Sequence, residues 1–275
     1  LTNEIFLLAT VTSIISLFFG SVLWFYRDPE RHPPERKNVV VSPADGRIAK
    51  IKRYPKGTVP STIKEGRLIT IEEIKTAGFT DDDYYLVAIV MSPLDVHINR
   101  TPISGQVVFQ KRTLGKLVTM RQPIFEFVNE RVTTIIENET LRIGVVQIAA
   151  PIASSIRCFV NIGDTMQIGQ RYGAISLGSQ VDVMIPAWSK IRISTLLGSK
   201  VRAGETILAE VSERHDECEK KESEGYTTDE GVFDVQSKGF SRFLQLFYLA
   251  SLLLASLWLK YARIRSDHIR CCKSD

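Results

Sequence analysis

Histidine is the usual general base near neutral pH, and this chain of 275 residues has four. His32 lies in a Pro-rich stretch, His215 in an acidic stretch and His268 in a basic tail. His97 alone falls in the part that reads as folded, within Met91-Ser-Pro-Leu-Asp-Val-His-Ile-Asn-Arg-Thr-Pro102. Taken singly, a histidine there is more simply structural. Ser42-Pro-Ala-Asp-Gly46 supplies a carboxylate, Asp45, in what reads by itself as a hairpin turn. Leu177-Gly-Ser-Gln-Val-Asp-Val-Met-Ile-Pro186 places Gly178-Ser179 between strand-like runs. A glycine before a serine opens backbone conformations that a serine attacking its own preceding carbonyl would need, and an ordinary bulge accounts for it equally well.

The segments that must position these residues read mostly as β-structure. Short β-branched runs at Val39–Val41, Tyr85–Met91, Val132–Ile136, Leu141–Ile148, Ile156–Val160 and Val181–Ile185 are separated by turn signals. Glu137-Asn-Glu-Thr140 reads as a hairpin connection, and Ile71 to Ala77 as a short helix. Two segments echo each other, 160–170 and 197–205, each a turn, a strand and a Gly-led turn of the kind found in lipoyl- and biotinyl-type β-sandwiches.

Both ends are apolar. Ile5 to Tyr26 is 22 positions without a charge, enough to span a bilayer as a helix. Trp24 and Tyr26 suit an interface, and Arg27, Arg31, Arg36 and Lys37 follow, which predicts a main domain on the cytoplasmic side. The segment lacks the basic start and small-residue cleavage site of a signal peptide. Phe243 to Leu259 is a shorter apolar run flanked by basic residues on both sides, either spanning or lying shallowly in the membrane. Between domain and tail, Ser212 to Gly239 carries nine acidic against four basic residues, a solvated linker. The expected organisation is an anchor over 1–37, a catalytic domain over 38–211, a linker over 212–239 and a hydrophobic helix with a basic tail over 240–275.

Net charge is only +4 and no basic stripe with interleaved aromatics occurs, which excludes a nucleic-acid partner. The four cysteines, Cys158, Cys218, Cys271 and Cys272, show neither a metal-binding spacing nor a disulfide framework, so no metal is expected.

Taken together and in order, Ser42-Pro-Ala-Asp-Gly46, Met91-Ser-Pro-Leu-Asp-Val-His-Ile-Asn-Arg100, Asn129-Glu-Arg131 and Leu177-Gly-Ser-Gln-Val-Asp182 resemble the phosphatidylserine decarboxylases, most closely the short branch that includes archaetidylserine decarboxylases. Phe25-Tyr-Arg-Asp-Pro-Glu30 fits as well, and the resemblance runs from about Phe25 to Val211. It implies an α+β, mainly β fold, a sandwich- or barrel-like pyruvoyl decarboxylase domain with terminal membrane helices. It implies a zymogen in which Asp45 orients His97 and His97 helps Ser179 attack the Gly178 carbonyl. An N-to-O acyl shift and β-elimination then release a chain ending at Gly178 and leave a pyruvoyl cofactor at Ser179. That ketone takes up the substrate amine as a Schiff base and accepts the electrons left by CO2. His97 would return the proton. The implied partners are a phospholipid substrate, the membrane, the chain's own cleaved halves 1–178 and 179–275, and a second copy in a homodimer.

The short branch commonly carries paired arginines where this chain has Ser154 and Ser155, and a glycine near Pro151. A phosphate contact would then fall to Arg157 or Arg171, with Arg100 a third candidate for substrate binding. Arg100 stands where some long-branch members have a second histidine, and Gln180 where Thr or Arg is commoner. Ser199 also follows Leu-Gly, but Val201-Arg-Ala-Gly-Glu205 beyond it matches the family's closing turn, which favours Ser179. Three rival readings stand beside this one: a lipoyl-type carrier, which lacks a lysine beside a methionine; a serine hydrolase built on Asp45, His97 and Ser179, which lacks a G-x-S-x-G elbow; and a family member without activity.

Overall fold

The computed structural model describes residues 2–212 except 37, 65–66, 77, 116–117, 119–121, 123, 150–155 and 176–178. The expected linker beyond Ser212, the second apolar run, Gly178 and Ser154-Ser155 therefore lie outside the described residues.

Helix α1 covers Thr2–Phe25. Its stretch Glu4–Phe25 is long and apolar enough to cross a membrane, and none of it is buried by protein. The compact body begins at Trp24. Its elements in chain order are β1 (Val39–Val41), β2 (Gly46–Tyr54), β3 (Ser61–Lys64), β4 (Arg67–Thr70), α2 (Glu72–Thr76), a 3₁₀ turn (Phe79–Asp81), β5 (Tyr84–Val90), β6 (Ile98–Arg100), β7 (Gly105–Thr113), α3 (Phe125–Val128), β8 (Arg131–Glu137), β9 (Arg142–Ile148), β10 (Ile156–Cys158), β11 (Thr165–Met166), β12 (Arg171–Ile175), β13 (Gln180–Pro186), β14 (Ile191–Ile193), β15 (Lys200–Val201) and β16 (Ile207–Val211).

Eight strands form one antiparallel sheet in the order β11-β7-β8-β9-β13-β5-β2-β15, curled into a half-barrel. Two three-stranded sheets, β1-β16-β14 and β10-β12-β6, and the hairpin β3-β4 complete the body. This is the α+β, mainly β architecture expected. The central strands β5 and β13 are apolar on both faces because both faces are covered. Val87, Ile89, Val181 and Val183 enter one core, and Leu86, Ala88 and Met184 enter the other.

The echoing segments prove to be structurally alike. Each holds a two-residue strand, β11 and β15, and these form the two edges of the large sheet. Each strand lies between glycines with positive φ, Gly163 and Gly169 around β11, Gly198 and Gly204 around β15. The short helix expected from Ile71 is α2 followed by the 3₁₀ turn. Asn138 closes the expected β8–β9 hairpin, its N–H donating to the Leu141 carbonyl at 2.9 Å. Asp45-Gly46, by contrast, is not a hairpin turn. β1 pairs with β16 and β2 with β5, so the chain changes sheets there.

Candidate active site

β5 delivers the chain into the Met91–Arg100 block. There the Asp95 N–H donates to the Ser92 carbonyl at 3.0 Å, and the Ser92 N–H donates to Asp95 Oδ2 at 2.8 Å. This reciprocal turn presents His97 with its ring 4% exposed. His97 Nδ1 lies 2.9 Å from the Asp95 carbonyl oxygen. A carbonyl can only accept, so Nδ1 carries the proton and Nε2 the lone pair. Nε2 is buried and has no hydrogen-bond partner among the described residues. Burial is the main influence on the ring and pushes its pKa down to about 4; the Asp95 carbonyl and carboxylate oppose this, and nearby Arg27 adds to it. His97 is therefore neutral at physiological pH.

The ring faces a cavity of about 130 Å³ lined also by Phe25, Tyr26, Arg157, Phe159 and Ile175. Phe25 packs on the imidazole with ring centroids 4.1 Å apart. Phe159 and Tyr26 are half or more exposed, which gives the cavity an apolar lip.

Ser179 is fully buried and enters β13. The Met91 N–H donates to its carbonyl at 2.9 Å, and four residues earlier the Ile175 N–H donates to the His97 carbonyl at 3.1 Å. The segment holding Gly178 is thus pinned at both ends to the His97 block. Four residues reach at most about 14 Å even when fully extended.

Asp45 is placed differently from the orienting role expected of it. Its Oδ1 accepts the Ala203 N–H at 2.7 Å and its Oδ2 pairs with Arg31 at 2.8 Å. The atom that orients His97 is the Asp95 carbonyl. The Ser42–Gly46 turn meets the His97 block through Pro43, whose carbonyl accepts the Arg100 N–H at 2.9 Å and the Asn99 side chain at 3.4 Å.

The three arginines fall into two groups. Arg100 is buried and binds the Gly169 carbonyl at 2.9 Å, the Pro29 carbonyl at 2.9 Å and Asp28 at 3.2 Å. Arg171 pairs with Asp28 at 2.5 Å and Glu30 at 2.7 Å. With Arg31 bridging Asp45 and Glu205, these residues clamp the Asp28–Arg31 segment to the body. Arg157 alone of the three lines the cavity, and its side chain is exposed there.

Sequence reasoning did not single out Phe25 and Tyr26 as lining residues, the Asp95 carbonyl, or a buried polar network around Asp182. The one available signal for the last was a carboxylate inside an otherwise apolar strand.

A buried neutral histidine facing a cavity, a buried serine at a strand entry and a helix long and apolar enough to cross a membrane occur together in this β-rich chain. Comparison with known proteins assigns the class. The phosphatidylserine decarboxylase family model matches residues 18–209. A putative archaetidylserine decarboxylase proenzyme of Methanocaldococcus jannaschii is 39% identical over 199 residues, 72% of this chain and 92% of that protein. A phosphatidylserine decarboxylase proenzyme of Geotalea uraniireducens is 37% identical over 202 residues, 73% of this chain and 83% of its own. One from Novosphingobium aromaticivorans is 39% identical over 193 residues, 70% and 73% respectively. The chain belongs to the phosphatidylserine decarboxylase family and is a decarboxylase of that class.

Proposed function

We propose that this chain is a membrane-bound proenzyme that cuts itself between Gly178 and Ser179 and then decarboxylates phosphatidylserine to phosphatidylethanolamine. The observation that supports this best is the pair of backbone tethers, Met91 to Ser179 and Ile175 to His97, which fix the residues on either side of the scissile segment to a block carrying a neutral imidazole nitrogen with no hydrogen-bond partner among the described residues.

In the first step Ser179 Oγ attacks the Gly178 carbonyl carbon. The peptide C–N bond breaks, an ester forms, and the hydroxyl proton ends on the Ser179 nitrogen. His97 Nε2 is the acceptor suited to relay that proton, since its lone pair is free at any pH above about 4. Loss of the Ser179 Cα proton then expels Gly178 as a carboxylate. The remaining dehydroalanine tautomerises, and water replaces its nitrogen, which leaves as ammonia.

The residues present fit a pyruvoyl group at position 179. The tether from Met91 is to the Ser179 carbonyl, which stays with the product chain when its nitrogen is lost. That group, once formed, supplies the electron sink for decarboxylation. Arg157, exposed in the cavity wall, is the cation that would take the lipid phosphate or serine carboxylate. Arg100 and Arg171 act instead on the juxtamembrane segment. Asp45 serves the same clamp through Arg31 and reaches His97 only by way of the Pro43 turn. The neutral imidazole suits a base for maturation; as the acid that protonates the product it would first have to pick up the proton.

The catalytic domain is assigned to 38–211, with 1–37 as anchor, 212–239 as linker and 240–275 as a second membrane-associated segment. The basic residues after α1 support a cytoplasmic position for the domain. The products 1–178 and 179–275 remain partners, and a homodimer is carried over from the family. An archaetidylserine substrate, named for the Methanocaldococcus relative, would use the same head-group chemistry.

The test is intact mass spectrometry of the purified full chain beside Ser179→Ala. Two fragments are expected, the smaller lighter by one ammonia than a serine-ended peptide, with a single uncut chain from the variant. An uncut parent chain that still released CO2 from phosphatidylserine vesicles would overturn the proposal.

A further inference from the structure

β13 turns two polar side chains away from Ser179 and into the second core. Gln180 and Asp182 are two residues apart and so share a face; they are 5% and 1% exposed. The Gln180 amide uses its N–H groups on two carboxylates, Asp182 Oδ1 at 2.7 Å and Glu126 Oε1 at 3.0 Å. Lys50 Nζ holds Glu126 at 3.0 and 3.2 Å. Four side chains from β2, α3 and β13 thereby close a network that starts one residue after Ser179.

The surroundings leave this network few alternatives. Directly opposite Asp182 stand Ala88 on β5 and Val146 on β9, and α3 adds Phe125 and Phe127, all apolar. Tyr54 on β2 also senses Asp182. Lys50 pairs with Glu126 at the partly exposed end of the network, their side chains 26% and 20% exposed, while Asp182 lies at its buried end, where an unmatched charge is expensive. Burial first, and then Glu126, push the Asp182 carboxyl up to about 7. Burial alone would lower Lys50, but Glu126 and Asp182 raise it, so it stays charged.

We propose that the Lys50–Glu126–Gln180–Asp182 network is a positioning device for self-cleavage, which holds the start of β13 and with it Ser179. With the Asp182 carboxyl protonated the network is neutral, Lys50 balancing Glu126, and both Gln180 hydrogen bonds are kept. Ionising Asp182 adds a second negative charge, which draws Lys50 and the Gln180 amide away from Glu126. Gln180 is peptide-bonded to Ser179, so the shift reaches the reacting atoms, where a displacement of about 1 Å costs on the order of a hundredfold in rate. His97 is already neutral across this range and contributes no slope there.

The inference rests on Ser179 being the cleavage site. The experiment follows self-cleavage of the full chain after cell-free synthesis into phospholipid nanodiscs, from pH 6 to 8.5, with thermal unfolding of each variant in the Ser179→Ala background. The parent rate should fall on the order of tenfold as pH rises through about 7. Asp182→Asn should cleave at the low-pH rate with a flat profile. Glu126→Gln, which removes the competing charge, should move the midpoint to lower pH. Gln180→Ala should slow cleavage at every pH while still unfolding cooperatively. A parental slope in Asp182→Asn, an unmoved midpoint in Glu126→Gln, or a parental rate in Gln180→Ala overturns the inference while leaving the proposed function intact. A parent chain never cut at Ser179 overturns both.

Discussion

Acid should destabilise this protein through His97, and the size of the effect follows from its burial. The unfolded imidazole takes up a proton near pH 6.5, whereas the folded one, desolvated beneath Phe25, does so only near pH 4. Between those values the unfolded state holds one more proton than the native state, so stability rises with pH across the window and is lost as pH falls from 6.5 to 4. Each pH unit across that window is worth about 1.4 kcal/mol, which makes the whole effect about 3 kcal/mol. The measurement is urea unfolding in detergent at pH 7.5 and pH 4, followed by tryptophan fluorescence, on Ser179→Ala so that cleavage does not intervene. Adding His97→Asn keeps a donor for the Asp95 carbonyl but removes the titration. Other groups titrate alike in both proteins, so the double variant should lose about 3 kcal/mol less on acidification. Equal losses in the two proteins would refute a neutral, buried His97.

Other perturbations have separable readouts. Arg157→Ala should raise KM for phosphatidylserine about tenfold to a hundredfold, the worth of one charged hydrogen bond, with self-cleavage unchanged on gels, because the side chain lines the cavity. Arg100→Ala should instead lower unfolding stability by about 1–3 kcal/mol, since it leaves the Gly169 and Pro29 carbonyls without their donor while Asp28 keeps Arg171. Gly46→Ala places a Cβ 2.3 Å from the Val90 carbonyl oxygen at a φ of +154°; a clear drop in Tm and loss of cleavage are expected, since Val90 precedes the residue that tethers Ser179. Asn129→Ala should cost about 2–4 kcal/mol in chemical denaturation, because its buried side chain donates to the Val118 and Ala149 carbonyls and accepts the Val118 N–H.

The strands legible from the sequence were those with short continuous apolar or β-branched runs, β1, β5, β8, β9, β10 and β13. β2 and β7 were missed although each spans nine residues. β2 carries four charges and β7 two, and a register shift in each, at Ile48/Lys50 and Val107/Phe109, breaks the alternation that would have exposed them. The site divides along similar lines. His97, singled out as the one histidine of the folded middle, lies buried against the cavity, and Ser179, singled out by the Gly-Ser pair, lies buried at the entry to β13. Arg100, Arg157 and Arg171 could not be sorted from sequence, because what separates them is whether Asp28 and Glu30 come within reach. Asp45 misled for a related reason. A carboxylate near a histidine in motif order suggests a dyad, but its partners here are Arg31 and a backbone N–H from a turn 158 residues away.

Self-cleavage at Ser179 would leave a new chain end inside the body, and the fold explains why that end need not fray. β13 is central in the large sheet, with Gln180–Pro186 registered against β5 and Gln180–Met184 against β9. Both neighbours belong to the 1–178 fragment, so each ladder bond of the strand joins the two products. A terminus on an edge strand would have one such ladder and a solvated flank. The same placement limits what can move when the peptide breaks. Residues 180–184 are fixed by two ladders and by apolar cores on both faces, so a cut before Ser179 would leave the strand that carries the new end held in place.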